Sequence, residues 1–158
     1  MIFFRALFCF IIIVFSLSGF SSFAQTMLST NAHMRLANNC IDGNATDCRK
    51  LVDYYQSIVR AGGVQNNSQS QDEKSVSVWA THGCEANDAG LCIIAGSTKE
   101  QKLYNLRIDP PQAIENYLKG CELNNGLACT RLGEMMDNSR WKSWTSDYEY
   151  KSAELYKK

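Results

Sequence analysis

Cysteine is the residue type in this chain whose spacing most clearly indicates chemistry. Three pairs share one interval of eight positions: Cys40 and Cys48, Cys84 and Cys92, and Cys121 and Cys129. Paired thiols either oxidise to a disulfide or bind a metal ion. Zinc sites usually combine closer C-x2-C pairs with histidines. We therefore expect three disulfides, and neither a metal site nor a cofactor.

The N-terminal sequence indicates export. Arg5 precedes an unbroken apolar run at residues 6–15, and small or polar residues follow as far as Ala24. This order is typical of a secretory signal peptide. The run is shorter than the roughly 20 residues of a membrane-spanning helix, although an uncleaved anchor is the alternative. We expect cleavage after Ala24, a periplasmic or secreted mature chain, and no stable membrane insertion.

The composition of the mature chain, residues 25–158, restricts the class of partner. Cleavage removes Cys9 and leaves six cysteines, an even number that fits disulfides in an oxidising compartment. It also removes Arg5, which leaves 15 basic residues against 16 acidic ones and a net charge of about −1. This balance favours neither nucleic acid nor an anionic membrane as a partner. The length is typical of a single domain.

The cysteine pairs belong to a longer repeat, whose copies start 44 and 37 residues apart. Matching positions hold similar residues: Ala32, Val76 and Ala113; Leu36, Ala80 and Tyr117; and Leu51, Ala95 and Leu132. A period in this range indicates stacked supersecondary units. Six cysteines allow fifteen connectivities, and the repeat favours pairing within each unit.

Each unit has the pattern of two helices joined by a tight turn. In the third unit Asp109 and Pro110 are typical of a helix start, and apolar residues follow at helical spacing. The turn at residues 122–126 supplies asparagine and glycine for a left-handed helix end. Each cysteine pair then joins the end of one helix to the start of the next, and its disulfide contributes roughly 2.5 kcal/mol.

The repeat predicts one domain with units near residues 27–61, 72–106 and 110–139. Residues 145–158 lack a further cysteine pair and predict a C-terminal capping helix. Residues 61–71 are rich in Gly, Asn, Ser and Gln and predict an exposed, mobile loop.

The third unit, AIENYLKGCELNNGLACTRLGEMM, resembles the cysteine-rich exported branch of the Sel-one-like repeat family, relatives of the tetratricopeptide repeats. The second unit, VSVWATHGCEANDAGLCIIAG, shares fewer features, and the first matches mainly through its cysteines, Ala32 and Leu36. Both lack the Leu-Gly pair that follows the second cysteine in the third unit. The resemblance implies an all-α, right-handed α/α superhelical solenoid of about three disulfide-stapled helix-turn-helix repeats.

The resemblance also implies a function. Solenoids of this family usually bind other proteins. Some exported members have been linked to penicillin binding and hydrolysis, and others look like periplasmic immunity proteins encoded beside secreted phospholipase toxins. We expect an immunity protein that binds and occludes such a toxin, for example a type VI effector. The alternatives are a β-lactam-hydrolysing enzyme and an envelope or secreted scaffold that interacts with host proteins.

The sequence offers little support for catalysis. Ser139 and Lys142 fit the S-x-x-K pattern of penicillin-recognising enzymes, but the companion S-D-N and K-T-G motifs are missing. The two histidines, His33 and His82, are best interpreted as surface residues. Gly-rich phosphate loops, H-E-x-x-H and G-x-S-x-G are also missing. We therefore expect no catalytic residues.

Three features are candidates for partner contact. Positions one, five and eight after the second cysteine lie on one helical face, and seven of these residues are candidates: Arg49, Asp53, Gln56, Ser97, Glu100, Glu134 and Asp137. This mildly acidic face either binds a partner or is merely solvated. Trp141, Trp144 and Tyr148 are either binding residues or the seal of the last unit. The loop at residues 62–71 is the third candidate.

Overall fold

The structure, a computed structural model, describes residues 28–61, 68–100 and 106–145, without the side chains of residues 68–70 and 144–145. Apart from the first three residues of the first helix, the account below concerns the described part of the compact body that begins at His33 and contains all three cysteine pairs. The six long helices of the described chain are α1 Thr30–Ile41, α2 Ala45–Arg60, α3 Ser68–Glu85, α4 Ala89–Glu100, α5 Pro110–Glu122 and α6 Gly126–Asp137. A 3-10 turn at Ser139–Trp141 and the single turn α7, Lys142–Thr145, follow. The expected all-α class is confirmed for these residues, which contain no strand.

The expected loop between the first two units is shorter than the composition predicted. Helix α3 begins at Ser68, so assigning residues 68–71 to the loop was wrong. Gln71, Asp72 and Glu73 extend the helix because the buried Val76 and Ala80 already hold its later turns. The rest of that loop, residues 62–67, lies outside the described residues. So does most of the predicted capping helix, residues 146–158.

The turn between paired helices has the same backbone conformation in every unit. The residue five before the second cysteine has a positive φ, at Gly43 (93°), Asn87 (66°) and Asn124 (63°). Its N–H donates to the carbonyl of the first cysteine, and the next N–H donates to the carbonyl before that cysteine, at 2.9–3.1 Å. This pair of bonds is the Schellman motif that ends a helix. In the third unit the left-handed residue is therefore Asn124.

The residue after the left-handed position starts the next helix. Asn44, Asp88 and Asn125 are the N-caps, and each side chain accepts hydrogen bonds from backbone N–H groups of the first turn. Each also donates the second Schellman bond with its own N–H. One residue thus completes one helix and caps the next, so only three residues separate the paired helices.

The three expected disulfides are present across these turns: Cys40–Cys48, Cys84–Cys92 and Cys121–Cys129. Their Cα atoms lie 4.7, 4.4 and 4.7 Å apart, which is within the normal range. The first cysteine lies in the last turn of one helix, and the N–H of the second donates to the carbonyl of the N-cap residue. The three-residue turn therefore places both thiols without further adjustment.

The glycine before the first cysteine is where successive units touch. A Cβ on Gly83 would lie 3.1 Å from Cys48 Cβ, and one on Gly120 would lie 3.1 Å from Cys92 Cβ. Each glycine thus packs against the second cysteine of the preceding unit. In the first unit this position is Asn39, whose side-chain amide donates instead to Asp47 Oδ2 at 2.7 Å.

The helices pack in sequence order, α2 on α3, α3 on α4, α4 on α5 and α5 on α6, and α3 and α4 also contact α5 and α6 respectively. This arrangement buries two groups of apolar side chains. The first core cluster contains Cys40, Cys48, Leu51, Val52, Val76, Ala80, Leu91 and Ala95. The second contains Ala113, Ile114, Tyr117, Leu118, Leu132, Met135 and Trp141. The first cluster therefore crosses the boundary between the first and second units.

Gly120→Ala tests the contact between units. The new methyl would lie 2.8 Å from Ala128 Cβ and 3.1 Å from Cys92 Cβ, and neither atom can rotate away. We expect the free energy of unfolding to fall by about 1–3 kcal/mol. Gly126→Ala is the matched control, because its Cβ meets no atom within 4 Å, and a gain of at most about 1 kcal/mol is expected. Urea unfolding followed by circular dichroism compares them, and equal midpoints would contradict this packing.

Removal of one disulfide should also destabilise the protein. We expect the double variant Cys84→Ala, Cys92→Ala to lose roughly 2.5 kcal/mol of unfolding free energy, because the nine-residue loop is no longer closed in the unfolded chain. Mass spectrometry with thiol alkylation verifies that the other two bonds have formed. A loss below about 0.5 kcal/mol in urea unfolding would mean that the turn alone holds the hairpin.

Candidate partner-binding surface

Arg49, a predicted partner-binding residue, is engaged within the protein. Its guanidinium forms two bonds with the Asp88 carboxylate, one of them 3.1 Å from Nε to Oδ2. Asp88 also caps α4 by accepting from the N–H groups of Gly90 and Leu91. Arg49 thus joins α2 of the first unit to the turn of the second and stabilises the contact between the two units.

Ser97 and Glu100 are likewise held by a buried tyrosine. The Tyr117 hydroxyl donates to Glu100 Oε2 at 2.8 Å and lies 3.1 Å from Ser97 Oγ. The Tyr117 ring packs over Gly96, whose missing side chain makes room for it. Burial raises the pKa of the Tyr117 hydroxyl far above its usual value, so it remains a donor at pH values at which an exposed tyrosine would ionise. The polar face of α4 therefore stabilises the contact with α5.

The other predicted polar residues remain at the surface. Asp53 and Asp137 are exposed. Gln56 Oε1 lies 3.4 Å from Arg60 Nη2, and Glu134 accepts from Arg131 at 2.9 Å. Both contacts are within one helix and leave these side chains accessible.

Trp141 is part of the second core cluster and only 7% exposed. The Arg140 guanidinium lies over its ring, 4.5 Å from the centroid. Trp141 therefore covers the end of this cluster. The side chain of Trp144 and all of Tyr148 lie outside the described residues. Ser139, the candidate serine of the S-x-x-K pattern, is exposed, as is Lys142.

A different group of side chains forms a surface that the sequence did not reveal. This aromatic cluster consists of His33 on α1, Tyr54 and Tyr55 on α2, and Trp79 and His82 on α3. All five are half-buried. Neighbouring ring centroids lie 5.2–6.4 Å apart, and four of the five contacts are edge-to-face. The rings thus form one continuous layer over three helices.

His33 is at the centre of the aromatic cluster. Its ring contacts those of Tyr54, Tyr55 and Trp79, and its Nε2 is hydrogen-bonded to the Tyr55 hydroxyl at 2.7 Å. His82 lies at the edge, against Trp79 and with Nδ1 3.3 Å from Glu85 Oε2. One imidazole therefore ties α1 to both following helices.

The aromatic cluster packs on the first core cluster through Tyr55 and Trp79. Tyr55 follows the buried Leu51 by one helical turn, and Trp79 directly precedes the buried Ala80. Burial raises the pKa of the Tyr55 hydroxyl, so it stays protonated to a higher pH than an exposed tyrosine. The side chains of the cluster carry phenol, indole and imidazole groups, which combine apolar area with hydrogen-bonding groups. Such a layer is suited to binding a partner with both apolar and polar atoms.

The repeat pattern concealed these residues because their positions vary between units. Arg35 and Asn116 stand where the second unit has Trp79, and Asn38 and Lys119 stand where it has His82. The available signal was the Tyr-Tyr doublet together with Trp79 and His82 at i, i+3 spacing.

Within the described ranges, no three His, Cys, Asp or Glu side chains are grouped to hold a metal ion. None of the described helices is long and apolar enough to cross a bilayer.

No protein-family model matches the chain, and neither a curated protein nor a solved structure is significantly similar to it.

Substitutions at Asp88 separate its two roles. Asp88→Asn keeps a capping oxygen but loses the ion pair with Arg49. Because the Arg49 side chain is exposed, we expect the free energy of unfolding to fall by less than about 1 kcal/mol. Asp88→Ala also removes the cap and should lose about 1 kcal/mol more. Arg49→Gln is the control and should match Asp88→Asn in thermal and urea unfolding. Equal stability of the asparagine and alanine variants would contradict the capping role.

Proposed function

We propose that this protein binds another protein and that the aromatic cluster is the centre of the binding surface. The observation that carries this proposal is the layer of five half-buried rings on three consecutive helices. Tyrosine and tryptophan dominate binding hot spots because each removes a large apolar area from water while its polar tip finds a partner.

The rigidity of the cluster supports this role. Tyr55 and Trp79 are packed on the first core cluster, and His33 is held by ring contacts and a hydrogen bond. Side chains that are already ordered lose little conformational entropy when a partner binds. The surface is therefore prepared for binding before the partner arrives.

We further propose that the three units form a short right-handed α/α superhelix. Sequential helix packing and the glycine–cysteine contact between successive units support this arrangement. The likeness of the third unit to Sel-one-like repeats points the same way. In such a stack, His33 and Trp79 would belong to the first helices of adjacent units.

The cellular site is proposed from the thiol chemistry. Three disulfides within the described residues fit an oxidising compartment. Together with the signal-peptide pattern of residues 1–24, they support a periplasmic location.

For the partner, we propose a secreted phospholipase-type toxin, such as a type VI effector, which this protein neutralises as an immunity protein. The support is the resemblance of the third unit to the family, the signal-peptide pattern of residues 1–24 and the lack of a recognisable catalytic motif in the sequence. Neutralisation would be stoichiometric, by covering the entrance to the active site of the toxin. The aromatic cluster would contact the apolar rim of a lipid-binding entrance.

The test uses the oxidised mature chain, residues 25–158, as bait in envelope and secreted fractions of the native strain. We expect one stoichiometric lipid hydrolase, whose activity the bait abolishes at equimolar concentration. Tyr54→Ala should weaken the purified complex at least tenfold, because truncation of a hot-spot ring costs about 2 kcal/mol. Leu127→Ala, at a 54% exposed residue on α6, is the matched control and should bind normally.

Other results would favour a different binding surface or a different function. Equal affinity of the Tyr54 and Leu127 variants would exclude the aromatic cluster as the binding surface. Capture of several envelope proteins without hydrolase inhibition would favour a scaffold. Covalent labelling of Ser139 by a fluorescent penicillin would favour the enzyme.

A further inference from the structure

A hollow of about 360 Å³ lies between α3, the last turn of α4 and the segment that leads into α5. Its position and residues are separate from the aromatic cluster. Pockets for small molecules usually have volumes of about 300–1,000 Å³, so this one suits a small ligand.

Three cations line the hollow: Lys74, Lys99 and Arg107. Within the described chain, none of them forms an ion pair or a side-chain hydrogen bond. The one carboxylate in the lining, Asp109, caps α5 by accepting from Gln112 N–H at 3.3 Å. Three positive charges against one negative charge leave the lining at +2. This charge favours an anion.

The remaining lining indicates an apolar part of the ligand. Val78 is 48% exposed, and Leu106, which also lines the hollow, is half-buried. The Ser77 side chain is 4% exposed and 2.9 Å from Thr98 Oγ1. Thr98 donates its own proton to the Ala95 carbonyl, so the Ser77 proton is directed at Thr98. Ser77 therefore offers no donor, and the cations alone must hold the charged group.

We propose that this hollow binds a small amphipathic anion, a carboxylate or phosphate monoester carrying a short apolar chain. The charged group lies among Lys74, Lys99 and Arg107, and the chain lies against Val78 and Leu106. The first helical positions of α5 are Pro110 and Pro111, which have no N–H. Backbone amides therefore do not replace the cations.

The experiment is a titration of the ¹⁵N-labelled, oxidised mature chain with octanoate and octyl phosphate, monitored by NMR. We expect saturable shifts centred on residues 74–78, 99 and 106–107, with a Kd of the order of 1 mM or tighter. Octanol tests the apolar chain alone, and inorganic phosphate tests the charge alone. Both should bind at least about tenfold more weakly. Preference between the two amphiphiles identifies the head group.

Substitutions decide whether the hollow is the site. Lys99→Gln and Arg107→Gln should each weaken binding about tenfold, and both should fold because neither cation has a partner to lose. Arg35→Gln, on α1, is the matched control and should bind as the unchanged protein does. Absence of saturable binding, equal affinity for octanol, or unchanged affinity of both variants would overturn the proposal. None of these outcomes depends on whether the protein binds a toxin.

Discussion

Each pair of helices is joined by a three-residue turn, and this turn determines how the helices and the units pack. A left-handed residue, Gly43, Asn87 or Asn124, ends the first helix, and the next residue caps the second. Since one residue does both, the direction of the second helix is set locally, and the two cysteines come within 5 Å between Cα atoms. A disulfide across such a turn contributes roughly 2.5 kcal/mol, which is substantial beside the 5–15 kcal/mol of a typical domain.

Contacts between units follow from the same turn. Because Gly83 and Gly120 directly precede a cysteine, each unit approaches the second cysteine of the unit before it. The close approach also commits surface polar groups to structure. Arg49 binds the N-cap Asp88, and Tyr117 holds Glu100 after packing over Gly96. Of the seven candidate polar residues at regular helical spacing, Arg49, Ser97 and Glu100 therefore serve the packing of neighbouring helices, while the other four remain accessible.

Helix α3 contributes residues to both candidate binding surfaces, the aromatic cluster and the cationic hollow. Trp79 and His82 belong to the aromatic cluster, while Lys74 and Val78 line the cationic hollow. Between them, Val76 and Ala80 are fully buried in the first core cluster. The helix is thus fixed by its core side, and its other residues present an aromatic layer and a positively charged hollow. These two surfaces suit ligands of different chemistry.

The helical class, the cysteine pairing and the tight turns could be predicted from the amino-acid sequence, because they depend on residues fewer than ten positions apart. The left-handed asparagines, the N-caps and the disulfides are all local. The side chains that meet across units could be identified only from the way the helices pack in the folded protein. His33 and Trp79 are 46 positions apart, and Arg49 and Asp88 are 39 apart. Neither contact follows the repeat, since the equivalent positions hold other residue types in the other units. The angle and offset at which neighbouring helices pack determine such contacts, and the periodicity of one helix carries no information about them.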